Sequence, residues 1–298
     1  MQGLALAIAA YMIWGFFPLF FHQLNAVLPT EILAHRVVWA LVFTLGALLV
    51  LGQAKRFKQL LVQPRALGWL ALSGLLISSN WLVFIWAVGQ QRVLEASLGY
   101  FISPLVSLLM GWLLLKEKQH PLQLAAGFLA AIAIAWELIS LGQLPWIPLF
   151  LALTVGFYGL VRKRQPVDSL HGLTIETLWM LPFALGWLAW MQIADYPVVF
   201  SNDLKLSWLL VASGLMTASP LLLFAAATRR LDLSIVGFIM YINPIMQFIT
   251  AVWILGESYP PQRLVTFILI WIAMVLFMWG IWRARKNNKQ ALNSRSKV

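Results

Sequence analysis

The chain has 298 residues, of which 61% are hydrophobic and 10% charged, and its 21 Lys and Arg outnumber its 10 Asp and Glu to give a formal charge of +11. That mix is too apolar for a soluble domain, and the absence of Cys removes disulfides, thiolate metal sites and cysteine nucleophiles together. At about 20 residues per crossing, a chain of this length and hydropathy holds roughly ten membrane spans.

Apolar runs predict spans over 3–24, 31–52, 67–89, 94–115, 122–141, 145–163, 172–192, 207–228, 232–255 and 262–282. The first run lacks a cationic leader and a small-residue cleavage site, and the second follows almost at once. It therefore reads as a retained helix rather than a signal peptide. It carries Tyr11, Trp14 and Pro18. The second span opens with Glu31 and His35 at i,i+4 spacing, with Trp39 one turn on and Arg36 beside that stripe. A charge within the bilayer is costly and faces the bundle interior. His35 and Arg36 are thus read either as pathway residues or as groups seating the helix end, and Glu31 as a seating group.

The third span carries Asn80 and Trp81, and the fourth places Ser97, Tyr100 and Pro104 on one face. Tyr158 lies mid-span in the sixth, Glu176 about one turn inside the seventh, and Pro182 and Pro220 interrupt the seventh and eighth. In the ninth, Gly237, Tyr241 and Pro244 share a face. Trp14, Trp81 and Tyr158 sit where an apolar or cationic solute could stack; packing is the alternative. The prolines Pro18, Pro104, Pro220 and Pro244 are read as hinge or kink positions, because each frees a backbone carbonyl that protein or cavity water must satisfy.

The basic residues divide by side. Lys55, Arg56, Lys58, Arg65, Lys116, Lys118, Arg162, Lys163, Arg164, Arg229, Arg230 and those of the tail fall in connections on the side of the termini. Only Arg36, Arg92, Lys205 and Arg263 lie opposite. Positive residues stay on the cytoplasmic side, so both termini are expected there. This asymmetry accounts for the charge without nucleic acid as a partner. A basic tail over 283–298 would instead attract anionic membrane lipids, by about 1 kcal/mol per residue.

The apolar sequence also repeats itself 140 positions apart. Gly74, Leu75, Phe84, Ala87, Ile102, Pro104 and Glu117 recur as Gly214, Leu215, Phe224, Ala227, Ile242, Pro244 and Glu257. The same offset brings Glu176 close to the position of His35. Five spans per copy is an odd number, so the second copy is inverted relative to the first, as in many secondary transporters. The expected architecture is all-α and integral to the membrane: ten helices as two inverted five-helix repeats over 1–141 and 145–282. His35 and Glu176 then stand at opposite mouths, as proton-exchanging groups or as substrate or gate contacts.

No phosphate-binding Gly-rich loop with Lys-Ser/Thr and no metalloprotease His pair is present, nor a Gly-x-Ser-x-Gly turn. No cofactor or metal is expected, and energy for transport would come from an ion or substrate gradient. An integral-membrane lipid-processing enzyme would need clustered catalytic groups, whereas the acidic residues here are scattered. A scaffold or sensor would not need an inverted repeat with polar residues at both mouths. The Gly-rich faces suit a monomer or a homodimer.

The segment Ala10 to Gly15 with Pro18, then Glu31 to Trp39, resembles the start of the RarD proteins in the EamA branch of the drug/metabolite transporter superfamily. Asn80-Trp81 with Phe84 to Val88, Leu94 to Ile102, and Phe157 to Lys163 extend the likeness. It continues through Glu176-Thr177, Thr217, Pro220-Leu221 and Tyr241-Ile242 with Pro244, and so covers nearly the whole chain. One departure is Ser103 before Pro104, where Asn243 stands in the second half and the family often carries Asn. The resemblance implies ten helices in two inverted halves, a central cavity and a bacterial inner membrane. The function it implies is export of a small organic metabolite or drug-like solute. The pathway residues expected from the sequence are Tyr11, Trp14, His35, Arg36, Asn80, Trp81, Tyr100, Tyr158, Glu176 and Tyr241.

Overall fold

The computed structural model describes residues 2–116, 120–163, 165, 167–228, 230 and 239–295. Among these the secondary structure is helical: α1 (Gln2–Gly15), α2 (Phe17–His22), α3 (Pro29–Val50), α4 (Ala54–Leu61), α5 (Pro64–Gly89) and α6 (Val93–Leu115). There follow α7 (Pro121–Leu141), α8 (Trp146–Lys163), α9 (Ser169–Ile193), α10 (Leu204–Thr228), α11 (Ile242–Ile249) and α12 (Pro261–Arg295). A π-helical turn, Thr250–Ile254, continues α11. Among the described residues eight helices are long and apolar enough to cross a membrane, α1 and α2 together forming the first, and two shorter apolar helices cover Trp146–Arg162 and Ile242–Ile254. The protein is a multi-pass membrane protein.

Local chemistry sets the helix ends. Proline stands in the first turn of α2, α3, α5 and α7, where its fixed φ suits a helix start and its missing N–H costs no bond. His120 caps α7 reciprocally with Gln123, and the Asp168 carboxylate accepts from the His171 N–H to cap α9. Gly52 and Gly142, at φ +66° and +63°, turn the chain out of α3 and α7.

Three features differ from the sequence reading. A short helix, α4, occupies the connection between the second and third spans and seats Leu60 against Leu70, Val167 and Ile175. Its apolar face is too short to register as a run. Residues 231–238, which begin the expected ninth span and include Gly237, lie outside the described residues, as does Glu117. The basic tail starts as a continuation of α12, which stays helical to Arg295.

The prolines also divide. Pro104, Pro182 and Pro220 lie inside α6, α9 and α10. Pro18 instead opens α2 after the break at Phe16, and Pro244 lies in the first turn of α11. These two mark ends of helical segments and remove no intrahelical bond.

The helices pair in a pattern with internal symmetry. α3 packs on α9, α5 on α8 and α9, α10 on α1 and α3, α6 on α8, α11 on α1, and α7 on α12. Exchanging α1 with α8, α3 with α9, α5 with α10, α6 with α11 and α7 with α12 maps each of these pairings onto another of them or onto itself. Two glycines 140 positions apart permit close crossings. A Cβ at Gly74 would stand 3.1 Å from the Glu176 carbonyl oxygen, and one at Gly214 would collide with the backbone of Trp39 and Ala40. The main core, around Phe21, Phe84, Phe101, Leu98 and Phe267, fills the space beside the cavity described next.

Candidate functional site

A cavity of about 410 Å3 lies among the helices. Tyr11 and Trp14 of α1, Phe17 of α2 and Arg36 of α3 form one wall, continued by Ile77, Asn80, Trp81 and Phe84 of α5 and by Tyr100 and Ser103 of α6. Also lining the cavity are Val155, Tyr158 and Arg162 of α8, Ser169 and Leu173 of α9, and Thr217, Leu221 and Phe224 of α10. Met240, Asn243, Pro244 and Gln247 complete it. Among the described residues, α7 and α12 contribute none.

The walls are aromatic with a few fixed polar groups, the usual composition of a small-molecule site. Tyr11 meets Trp14 edge-on at 5.2 Å between ring centroids, and Phe224 lies 6.0 Å from both. Asn80 is held from both ends of its amide: Nδ2 donates to the Leu151 carbonyl at 3.1 Å and to Thr154 Oγ1 at 2.9 Å, while Oδ1 accepts from the Tyr100 hydroxyl at 3.2 Å. Its amide therefore ties α5 to α8 and to α6. On α11, Gln247 Nε2 donates to Asn243 Oδ1 at 2.8 Å, and Gln247 Oε1 is buried without a partner.

Arg36 is buried, 2% exposed. Its Nε donates to Thr217 Oγ1 at 2.8 Å, and its guanidinium lies over Trp81 at 4.1 Å from the ring centroid, with Phe21 and Phe17 at 5.2 and 5.3 Å. Behind Tyr158 and Arg162, Glu176 is 1% exposed. It accepts from Ser73 Oγ at 2.6 Å and from the Tyr158 hydroxyl at 3.3 Å, and its Oε1 is 3.7 Å from Arg162 Nε. Arg162 also donates to the carbonyls of Val167 and Asp168, and its guanidinium occupies the space that a side chain at Gly172 would need. Behind it, burial pushes the Asp168 carboxyl up, but hydrogen bonds from His171 and the charge of Arg56, 3.3 Å away, hold it below the usual carboxylate range.

A search of protein families matches residues 1–138 to the EamA-like transporter family. The RarD protein of Salmonella typhimurium is 44% identical, over 96% of this chain and 97% of its own length. That of Escherichia coli is 42% identical, over 97% of this chain and 98% of its own. The chain belongs to the EamA-like transporter family, with the RarD proteins. An uncharacterized transporter of Pseudomonas aeruginosa is 41% identical over 97% of both chains. A solved crystal structure shares the fold with a TM-score of 0.59 at 18% identity, covering 92% of this chain and 96% of that one.

In this EamA-like protein the geometry sorts the residues singled out from sequence. Tyr11, Trp14, Arg36, Asn80, Trp81, Tyr100 and Tyr158 share the one cavity. Glu176 stands behind its lining, joined to it through Tyr158 and Arg162. His35 is outside: its ring stacks on Phe200 at 4.4 Å, beneath the loop that Glu31 anchors by accepting from the N–H groups of Val199 and Phe200. Tyr241 faces an apolar recess with Ile245 and Met274 instead. The residues that sequence reasoning passed over are Phe17, Ser103, Arg162, Thr217, Phe224, Asn243 and Gln247. Asn243 and Gln247 carried a usable signal, two carboxamides at i,i+4 in an apolar run. Arg162 carried a misleading one, since a cation at a span end reads as a topology marker.

Proposed function

We propose that this chain is a secondary-active exporter of a small organic solute, working by alternating access as two inverted five-helix halves rock about the cavity. The observation that carries the reading is that one cavity is walled jointly by α1, α2, α3, α5 and α6 and by the α8–α11 region, with aromatic faces and buried amides and no apparatus for nucleotide hydrolysis in the sequence. The symmetric exchange of helix pairings supports the inverted repeat. The eight long spans and two shorter apolar helices support ten crossings. Loop charges support cytoplasmic termini in a bacterial inner membrane.

In that orientation the cavity reaches the cytoplasmic ends of α8 and α9, at Arg162 and Ser169, while Phe21, Leu24, Val27 and Leu94 pack on the outer side. The conformation is then inward-facing, ready to load solute from the cytoplasm. Proton exchange during the cycle falls to Glu176, which alone among the described carboxylates is hydrogen-bonded to a residue of the cavity lining.

The test compares metabolites in the medium of cells overexpressing the wild-type chain with those from an equally abundant Trp81→Ala, Gln247→Ala variant. A compound that accumulates outside only with wild type is the expected result; media identical to those of cells without the protein would overturn export. The chain has no Cys, so single cysteines report topology without background. Lys55→Cys should react only from the cytoplasm, and Lys205→Cys only from outside.

A further inference from the structure

The cavity carries an unbalanced charge. Among the described residues its lining includes Arg36 and Arg162 and no Asp or Glu. Arg162 is engaged by Glu176 from behind the wall. Arg36 forms no ion pair among the described residues: Nε is used by Thr217, Nη1 is buried with no partner, and the remaining contacts are ring faces. Aromatic faces stabilise a cation but leave its charge in place, and a buried guanidinium without a counter-ion is disfavoured until one arrives.

Deepening the transporter reading, we propose that the cavity takes a monoanionic organic solute, an aromatic or similarly flat apolar carboxylate. Its carboxylate pairs with the guanidinium of Arg36, which lines the cavity, and its ring lies along Trp14, Tyr11 and Phe224. One free guanidinium matches one negative charge. A dianion would bury a second charge unpaired, and a cation would meet Arg36 with no carboxylate in the lining to receive it. An amino acid zwitterion is disfavoured for the same reason, because its ammonium has no acceptor of opposite charge there. The cavity, about 410 Å3, falls within the roughly 300–1,000 Å3 typical of small-molecule sites.

The probes are phenylacetate, phenylacetamide, phenethylamine and phenylalanine, which share a ring and differ in charge. Binding is read by intrinsic Trp fluorescence and by thermal unfolding of the full chain in nanodiscs. Phenylacetate should bind saturably and at least tenfold more tightly than the other three. Arg36→Gln should lose that tenfold preference and Arg36→Lys keep part of it. Equal binding of the amide or amine, absence of phenylacetate binding, or an unchanged preference in Arg36→Gln would each overturn the proposal. If Arg36→Gln does not fold, the wild-type series decides alone. A neutral or cationic compound accumulating in the medium experiment would overturn the anion site and leave export standing. Phenylacetate binding with no difference between media would do the reverse.

Discussion

Arg36 and Glu176 lie 140 residues apart, and each is held by a hydroxyl on the helix that crosses its own. Arg36 on α3 donates to Thr217 on α10 at 2.8 Å, and Glu176 on α9 accepts from Ser73 on α5 at 2.6 Å. Gly74 and Gly214, also 140 positions apart, are the glycines that let the two crossings close. The two positions differ in sign of charge. Symmetry of packing therefore coexists with electrical asymmetry, an arginine stacked on Trp81 in one half and a carboxylate behind Tyr158 in the other.

Removing either hydroxyl leaves a buried polar group short of a partner, which costs about 1–3 kcal/mol. Thr217→Val should be the more damaging, because Arg36 Nε has no other acceptor, whereas in Ser73→Ala Glu176 keeps Tyr158 and Arg162. Thermal unfolding in one detergent ranks the two; the reverse order would mean that the crossing hydroxyl is not what holds Arg36.

Gly214→Ala should destabilise more than Gly74→Ala. The added methyl at 214 meets the backbone of Trp39 and Ala40, which cannot rotate away, while at 74 the nearest atom is 3.1 Å off and a shift of a few tenths of an ångström suffices. Overpacking of this kind costs about 1–3 kcal/mol, and the yield and melting point of the two variants in detergent would show the difference.

Glu257 accepts from the N–H groups of Val93 and Leu94 at 2.7 and 2.8 Å, capping α6 from a distant segment. Burial raises its carboxyl above the usual range and Glu95 adds to this, against the lowering by the two N–H groups and Arg263. A raised carboxyl binds its proton more tightly in the folded state, so its contribution to stability is present below the ordinary glutamate value of 4.5 and is lost as pH rises through the folded value. Glu257→Gln should flatten that segment of the stability profile relative to wild type. Parallel melting curves against pH for the two proteins would count against this reading.

Asp168→Ala removes the N-cap of α9 and the partner of both His171 and Arg56. A lost cap costs about 0.5–2 kcal/mol. The effect should be local, seen by hydrogen exchange as faster labelling of the first turn of α9, with α3 unchanged. Because the Asp168 carboxyl is held low, its stabilisation is present above the ordinary aspartate value of 3.8 and fades as pH falls through the folded value.

The sequence by itself determined the multi-pass membrane class, the long apolar runs and the polar residues that lipid would not tolerate, because burying charge or unpaired backbone in a bilayer is costly enough to leave a mark on composition. It also marked Asn80, Trp81, Tyr100, Trp14 and Arg36 as unusual for their depth. Which of the marked residues share a space was decided by tertiary structure. In lipid both the outer and the packed faces of a helix are apolar, so no amphipathic stripe says that Arg36 faces the cavity while its neighbour His35 lies under Phe200. Contacts such as Arg36 to Thr217 and Asn80 to Thr154 join residues 181 and 74 positions apart. Such partners are chosen by how helices cross, and the crossing is set by close approach at positions such as Gly214 rather than by any local pattern in the chain.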